Sequence, residues 1–219
     1  IALAEAYNLT KDERLREPVK RLVAFTIRAQ NKKTGGWRYK TYAENPHDKG
    51  DLSVSGWQLM ALKSARLGGM DVPNAPFINA RKFIDTAGIG EKGFQYQPGR
   101  TPSLAMIAEG LFCEQILRGG DVNPQMEKCI GLIQKKLPST RTVDYYYWYY
   151  GSLAMRQTQG TAWEKWNEKL KPILLRKQQR GGTSDGSWNP EGKNGSIAGR
   201  CVTTAMAALS LEVYYRYLP

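Results

Sequence analysis

The chain has 219 residues, 41% of them hydrophobic, and a formal charge of +12 from 32 Lys and Arg against 20 Asp and Glu. That length supports one sizeable core, and no run approaches the roughly 18 apolar residues of a membrane span, so no span is expected in this segment, while peripheral contact with a membrane stays open. A single histidine, His47, excludes sites built from several imidazoles, and Cys113, Cys129 and Cys201 are too few and scattered for a disulfide framework. The three cysteines read as buried free thiols, because free Cys behaves as a small hydrophobe. Lys and Arg are spread over polar faces and loops, with only short pairs such as Lys32-Lys33 and Lys135-Lys136. No aromatic-interleaved RNA-binding motif or zinc-finger spacing occurs, so the surplus reads as a solvated basic surface and not as a nucleic-acid site.

The chain opens at Ile1 in a helix-like pattern with Leu3, Ala4 and Tyr7, which reads as the tail of a helix continuing from upstream. Residues 1–219 are therefore expected to be a single domain, the C-terminal part of a longer chain, with any targeting segment lying elsewhere. Thr10 with Glu13 fits a capping box, and Pro18 suits the first turn of the next helix. Val19, Leu22, Val23, Phe25 and Ile27 give that helix an apolar face as far as Gln30, and Gly35-Gly36 stops it. A polar loop leads to Asp51, an N-cap for a helix over 51–67 that is apolar nearly all round. An amphipathic helix over 75–87 follows, then Thr101-Pro102 opens a buried helix to 117 with proline at its first position. Residues 124–137 are again amphipathic, and Asp144 caps a helix that begins with six consecutive aromatics, Tyr145–Tyr150. Thr161 caps a helix over 162–179 in which Pro172 marks a kink. A glycine-rich polar loop over 181–199 then precedes a final helix over 199–217.

A glycine turn carrying an aromatic stands before three of the apolar helices: Gly35-Gly36-Trp37, Gly93-Phe94 and Gly186-Ser187-Trp188. The apolar helices start at a spacing of about 50 residues, and a fixed period of that size marks a repeat architecture. Amphipathic helices alternate with apolar ones, which predicts two concentric layers with the apolar set inside. Small residues such as Gly56, Ala108, Gly110, Gly151 and Ala207 let inner neighbours approach closely. The fold class is all-α: an α/α toroid, or an open arc of one, built from helical hairpins.

The motifs carry a family resemblance. Lys20–Trp37, with a basic residue, Phe25, Gln30, Gly35, Gly36 and Trp37, resembles the QW repeat of terpenoid cyclases, with one extra residue between Gln and Gly. Gln178, Gly186 and Trp188 form a looser copy, and Phe94 holds the corresponding place in the middle repeat. The segments 35–62 and 184–211 look like the squalene–hopene cyclase and protein prenyltransferase superfamily, nearest to bacterial prenyltransferase or squalene-oxidase repeat proteins. The resemblance implies an aromatic-lined lumen and a terpenoid-type ligand. The cyclase acid motif, Asp-x-Asp-Asp-Thr, is matched only by Asp51-Leu52-Ser53-Val54-Ser55, which keeps the first aspartate. The prenyltransferase zinc ligands have no counterpart, since His47 and the cysteines lack the required partners, so no metal and no cofactor are expected.

Two readings follow. In the first, the chain is a non-catalytic toroid domain that binds an apolar, isoprenoid-like ligand or a partner through Trp57, Tyr146, Trp148 and Tyr149. The aromatic run covers every face of its helix, so some rings point into the lumen and others at neighbouring helices. Gln30, Gly36, Trp37, Phe94 and Trp188 then serve as structural staples. In the second, the chain is an active enzyme, a squalene cyclase-like isomerase or lyase or a glycan-processing α/α-barrel. Its acids would lie upstream or at Asp51, Glu109 and Asp144, because paired carboxylates across a pocket suit acid–base work.

Overall fold

A computed structural model describes residues 1–119 and 121–215. Among them the chain is helical, with extended backbone limited to isolated bridges such as Trp37 to Asp51 and Gln178 to Trp188. The helices are α1 (Ala2–Thr10), α2 (Arg16–Ala29), α3 (Leu52–Leu67), α4 (Ala75–Ala87), α5 (Leu104–Arg118), α6 (Pro124–Gln134), α7 (Tyr145–Thr158), α8 (Gly160–Lys177) and α9 (Gly192–Leu211). The odd-numbered helices form one continuous row in chain order, α1 beside α3, then α5, α7 and α9. The even-numbered helices make a second layer, each packed on a row helix next to it in sequence.

Burial follows the apolar pattern. In α5 every residue from Ala105 to Glu114 is buried, and in α7 every residue from Tyr147 to Met155, whereas α2 buries only Val19 and Thr26. Each large apolar side chain withdrawn from water stabilises the fold by about 1.5–3 kcal/mol, so the row helices dominate the core. Two glycines let the layers meet. A methyl group on Gly110 would stand 2.1 Å from the Phe94 ring, and one on Gly151 would stand 2.3 Å from the Trp166 ring. Both contacts are far inside van der Waals range, so no larger residue fits there.

Helix starts are set by short polar side chains. Asp51, Ser103, Asn123 and Asp144 each accept a backbone N–H from the first turn they precede. Ser103 therefore opens α5, and Pro102 lies outside the helix, where it pairs with Gln95. Thr10 closes α1 through its hydroxyl on the Ala6 carbonyl, and Asp12 caps the turn that follows, so the expected Thr10–Glu13 box is not the one used. The helix over Gly160–Lys177 runs on through Pro172.

Two further expectations are corrected. The stretch 181–199 is not all loop: helix begins at Gly192, is interrupted at Gly199 (φ 79°, ψ −180°) and resumes to Leu211. Polar tethers hold the first part, including the Asn194 amide on the Asp144 carboxylate and the Ser196 hydroxyl on the Gly192 carbonyl. Such a turn has no apolar period to reveal it. Cys113 and Cys129 are buried, but Cys201 is exposed, because it lies on a face of α9 that no described element covers. The last positions of the expected 199–217 helix lie outside the described residues.

Candidate functional site

The two tryptophan turns are built alike. The Trp37 indole N–H donates to the Thr26 carbonyl at 2.8 Å, and that of Trp188 donates to the Leu174 carbonyl at 2.8 Å. In each case the acceptor lies one helical turn before the glutamine. The Gln30 amide donates to the Gly35 carbonyl and the Gln178 amide to the Gly186 carbonyl, closing the same loop. The backbone N–H of each tryptophan then reaches a hydroxyl on the following row helix, Ser55 or Thr204. Gly36 lies against the Phe83 ring, and Phe94 is buried against Gly110. These residues join one layer to the other, and their polar atoms are occupied in doing so.

Of the three candidate acids, Asp51 lies beside the first tryptophan turn, and its charge reaches Glu109. Asp51, fully buried, accepts from the Val54 N–H at 2.8 Å, from the Ser53 hydroxyl at 2.7 Å and from the Arg38 guanidinium. Arg38 also donates to the Tyr96 hydroxyl and lies 4.6 Å and 5.5 Å from the ring centres of Tyr39 and Tyr96. Burial works against the charged guanidinium, but its bonds to Asp51 and Tyr96 outweigh burial and push its pKa higher still. Burial, helped by a hydrogen bond with Tyr39 and the Asp51 charge, pushes the Tyr96 phenol up to about 12.

Glu109 lies deeper, fully buried between α3, α5 and α7. The Tyr146 hydroxyl donates to its Oε2 at 3.0 Å. The Tyr150 hydroxyl is near enough to favour the ionised carboxylate, but its geometry falls short of a hydrogen bond, so Tyr150 Oη and Glu109 Oε1 are both without a hydrogen-bond partner among the described residues. Oε1 faces Gly56, where a methyl group would stand 2.5 Å away. Burial, with the Asp51 charge adding to it, holds the Glu109 pKa well above the usual carboxylate range despite the two tyrosines. Asp51, by contrast, is matched by the Arg38 guanidinium. Asp144 stands apart: it caps α7 through the Tyr147 N–H and holds Asn194.

The aromatic candidates separate. Trp57, half-buried on α3, stacks on Tyr149 of α7 (5.6 Å between centres, 12° between planes) and meets Tyr150 edge-on at 5.8 Å. Trp148 and Tyr149 are closed off from solvent, Trp148 edge-on to Tyr145 at 5.1 Å. Tyr146 is half-buried and engaged with Glu109. Trp57 alone of the four lines an open cleft, of about 350 Å³, between α1, α2 and α3. Its walls are mostly apolar, with Val23, Phe25, Ala61 and Leu62 among them and the hydrogen-bonded pair Thr26 and Gln58 as the polar part, and neither Asp51, Glu109 nor Asp144 borders it.

Arg38, Tyr96, Gly56 and Tyr150 complete these clusters; the sequence marks Gly56 as a small residue of an apolar helix and Tyr96 and Tyr150 as aromatics, without a tie to the acids, and it gives Arg38 no role. A signal existed for two of them: Arg38 directly follows Trp37, and Tyr96 sits two residues after Phe94, so each lies inside a repeat turn. Among the described residues no group of three or more His, Cys, Asp and Glu could hold a metal ion. No helix among them is long and apolar enough to cross a membrane. Comparison with protein-family models, curated proteins and solved structures gives no match for this chain.

Proposed function

We propose that this chain is an α/α-toroid-type domain of the terpenoid cyclase and prenyltransferase kind that binds an apolar, isoprenoid-like ligand and carries no cyclase or zinc-transferase site of its own. The observation that carries the reading is the cleft at Trp57: a mostly apolar hollow of about 350 Å³ with an indole in its wall. That volume falls within the range of about 300–1,000 Å³ common to small-molecule sites. The continuous row of helices, the second layer outside it and the paired tryptophan turns support the toroid arrangement, here as an open arc. Binding is favoured over acid catalysis because Asp51 and Glu109 are sealed or neutralised and Asp144 is engaged as the cap of α7. Glu109 has no exposed surface, Asp51 is buried against Arg38, and neither reaches the cleft.

Isothermal titration with farnesol, an uncharged isoprenoid, tests this. Wild type should bind saturably, and Ala61→Phe, which fills the cleft, should abolish binding while the melting temperature holds. Absence of saturable binding, or undiminished binding by the filled variant, would refute the assignment.

A further inference from the structure

We propose a second binding site, for an aliphatic chain carrying an anionic head, where α3 and α5 end and α4 begins. A cleft of about 370 Å³ opens there, away from the tryptophan turns and separate from the cleft at Trp57. Its apolar walls are Phe77 and Ile78 of α4 and Ile116 and Leu117 of α5, and Ile78 is 60% exposed. Three cations border it: Lys63 and Arg66 from α3 and Arg118 from α5.

Their partners decide which of them is open to a ligand. Arg66 donates to the Val72 carbonyl at 2.6 Å and the Pro73 carbonyl at 2.9 Å, and its guanidinium rests 4.1 Å from the centre of the Phe77 ring. Arg118 is paired with Glu114, which also receives Arg81 at 3.5 Å. Asp85 and Asp121 act on Arg118 through their charge without forming an ion pair. Lys63 is half-buried and has neither an ion-pair partner nor a hydrogen bond among the described residues. The two arginines thus form a fixed positive frame, and Lys63 supplies a free ammonium on a stem that lies along apolar surface. An ammonium without a counter-charge at the edge of an apolar cleft favours an anion, and the walls favour a chain attached to it. The required ligand is accordingly amphiphilic. A bare anion leaves Phe77, Ile78, Ile116 and Leu117 uncovered, and a neutral chain leaves Lys63 unpaired.

The test is titration of the intact chain with dodecyl phosphate below its micellar concentration, beside inorganic phosphate and dodecanol. Dodecyl phosphate should bind this site saturably, and each half-ligand should bind it at least about tenfold more weakly, with any dodecanol held in the cleft at Trp57 recognised by its loss in Ala61→Phe. Lys63→Gln should weaken dodecyl phosphate about tenfold, the scale of one lost charge-assisted contact. Ile78→Glu, at an exposed position that leaves the fold intact, should weaken it further. Ala61→Phe, in the other cleft, should leave dodecyl phosphate binding here unchanged, so this site and the isoprenoid site fail independently. Inorganic phosphate binding as tightly as dodecyl phosphate would reduce the site to a surface anion patch and overturn the proposal. So would indifference to Lys63→Gln, or a loss of dodecyl phosphate binding in Ala61→Phe.

Discussion

Glu109 is the residue whose chemistry is most altered by the fold. Its carboxyl is withdrawn from water by α3, α5 and α7, and Tyr146 supplies its one hydrogen bond among the described residues. Because burial raises its pKa well above 4.5, the folded chain keeps a proton that the unfolded chain releases as pH rises. Stability should therefore be greatest below about pH 4.5, as far as this group is concerned, and should fall as pH climbs toward the folded value. Glu109→Gln carries no such proton and should remove that slope. Urea titrations at about pH 5 and pH 8 check the sign: the variant should gain on wild type at the higher pH. Parallel curves for the two proteins would mean that Glu109 is ionised in the folded state.

At the level of elements, the tryptophan turn acts as a joint between the layers. Gln30 donates both to the Gly35 carbonyl in its own turn and to the Pro76 carbonyl at the head of α4, so one side chain ties consecutive hairpins together. Trp37 and Trp188 are 2% and 3% exposed, so the carbonyls they serve would lose a partner with little water to replace it. Trp37→Phe keeps the ring and deletes only the N–H. It should cost about 1–3 kcal/mol, the penalty of an unpaired buried acceptor, and Trp188→Phe should cost a similar amount. Chemical denaturation measures both. If either variant is as stable as wild type, its indole is filler and the shared geometry is incidental.

For the whole molecule, the decisive quantity is the charge of +12. Ion pairs such as Lys128–Glu91 and Lys20–Glu17 are solvent-exposed and are worth little individually. The surplus cations repel one another across the surface. Raising ionic strength from about 0.01 M to about 0.15 M shortens the screening length from about 30 Å to about 8 Å. Thermal melts over that range should shift upward, because repulsion is screened more than the weak pairs lose. A downward shift would show that attractive networks outweigh the net charge.

The all-helical class, the order of the helices and the alternation of polar with apolar ones are legible in the sequence. They depend on local rules: a hydrophobic period of one helical turn, short polar caps such as Asp51 and Asp144, and glycine stops. The turns carrying Trp37 and Trp188 are legible for the same reason, since the glutamine, glycine and tryptophan that build each one are close in sequence. The candidate sites are not local. Asp51 and Glu109 are 58 positions apart in the chain and act on one another only because α3 and α5 are neighbours in the row. Trp57 reaches Tyr149 past the helix between them, and only that placement separates it from Trp148, a tryptophan of the same aromatic class that is fully enclosed. Lys63 looks in sequence like an ordinary solvated lysine on a helix that is apolar nearly all round. Its lack of a counter-charge follows from what α4 and α5 bring beside it. Composition and period determine which segments become helices and which faces are apolar; the tertiary structure alone decides which charges find partners and which aromatic rings stay open.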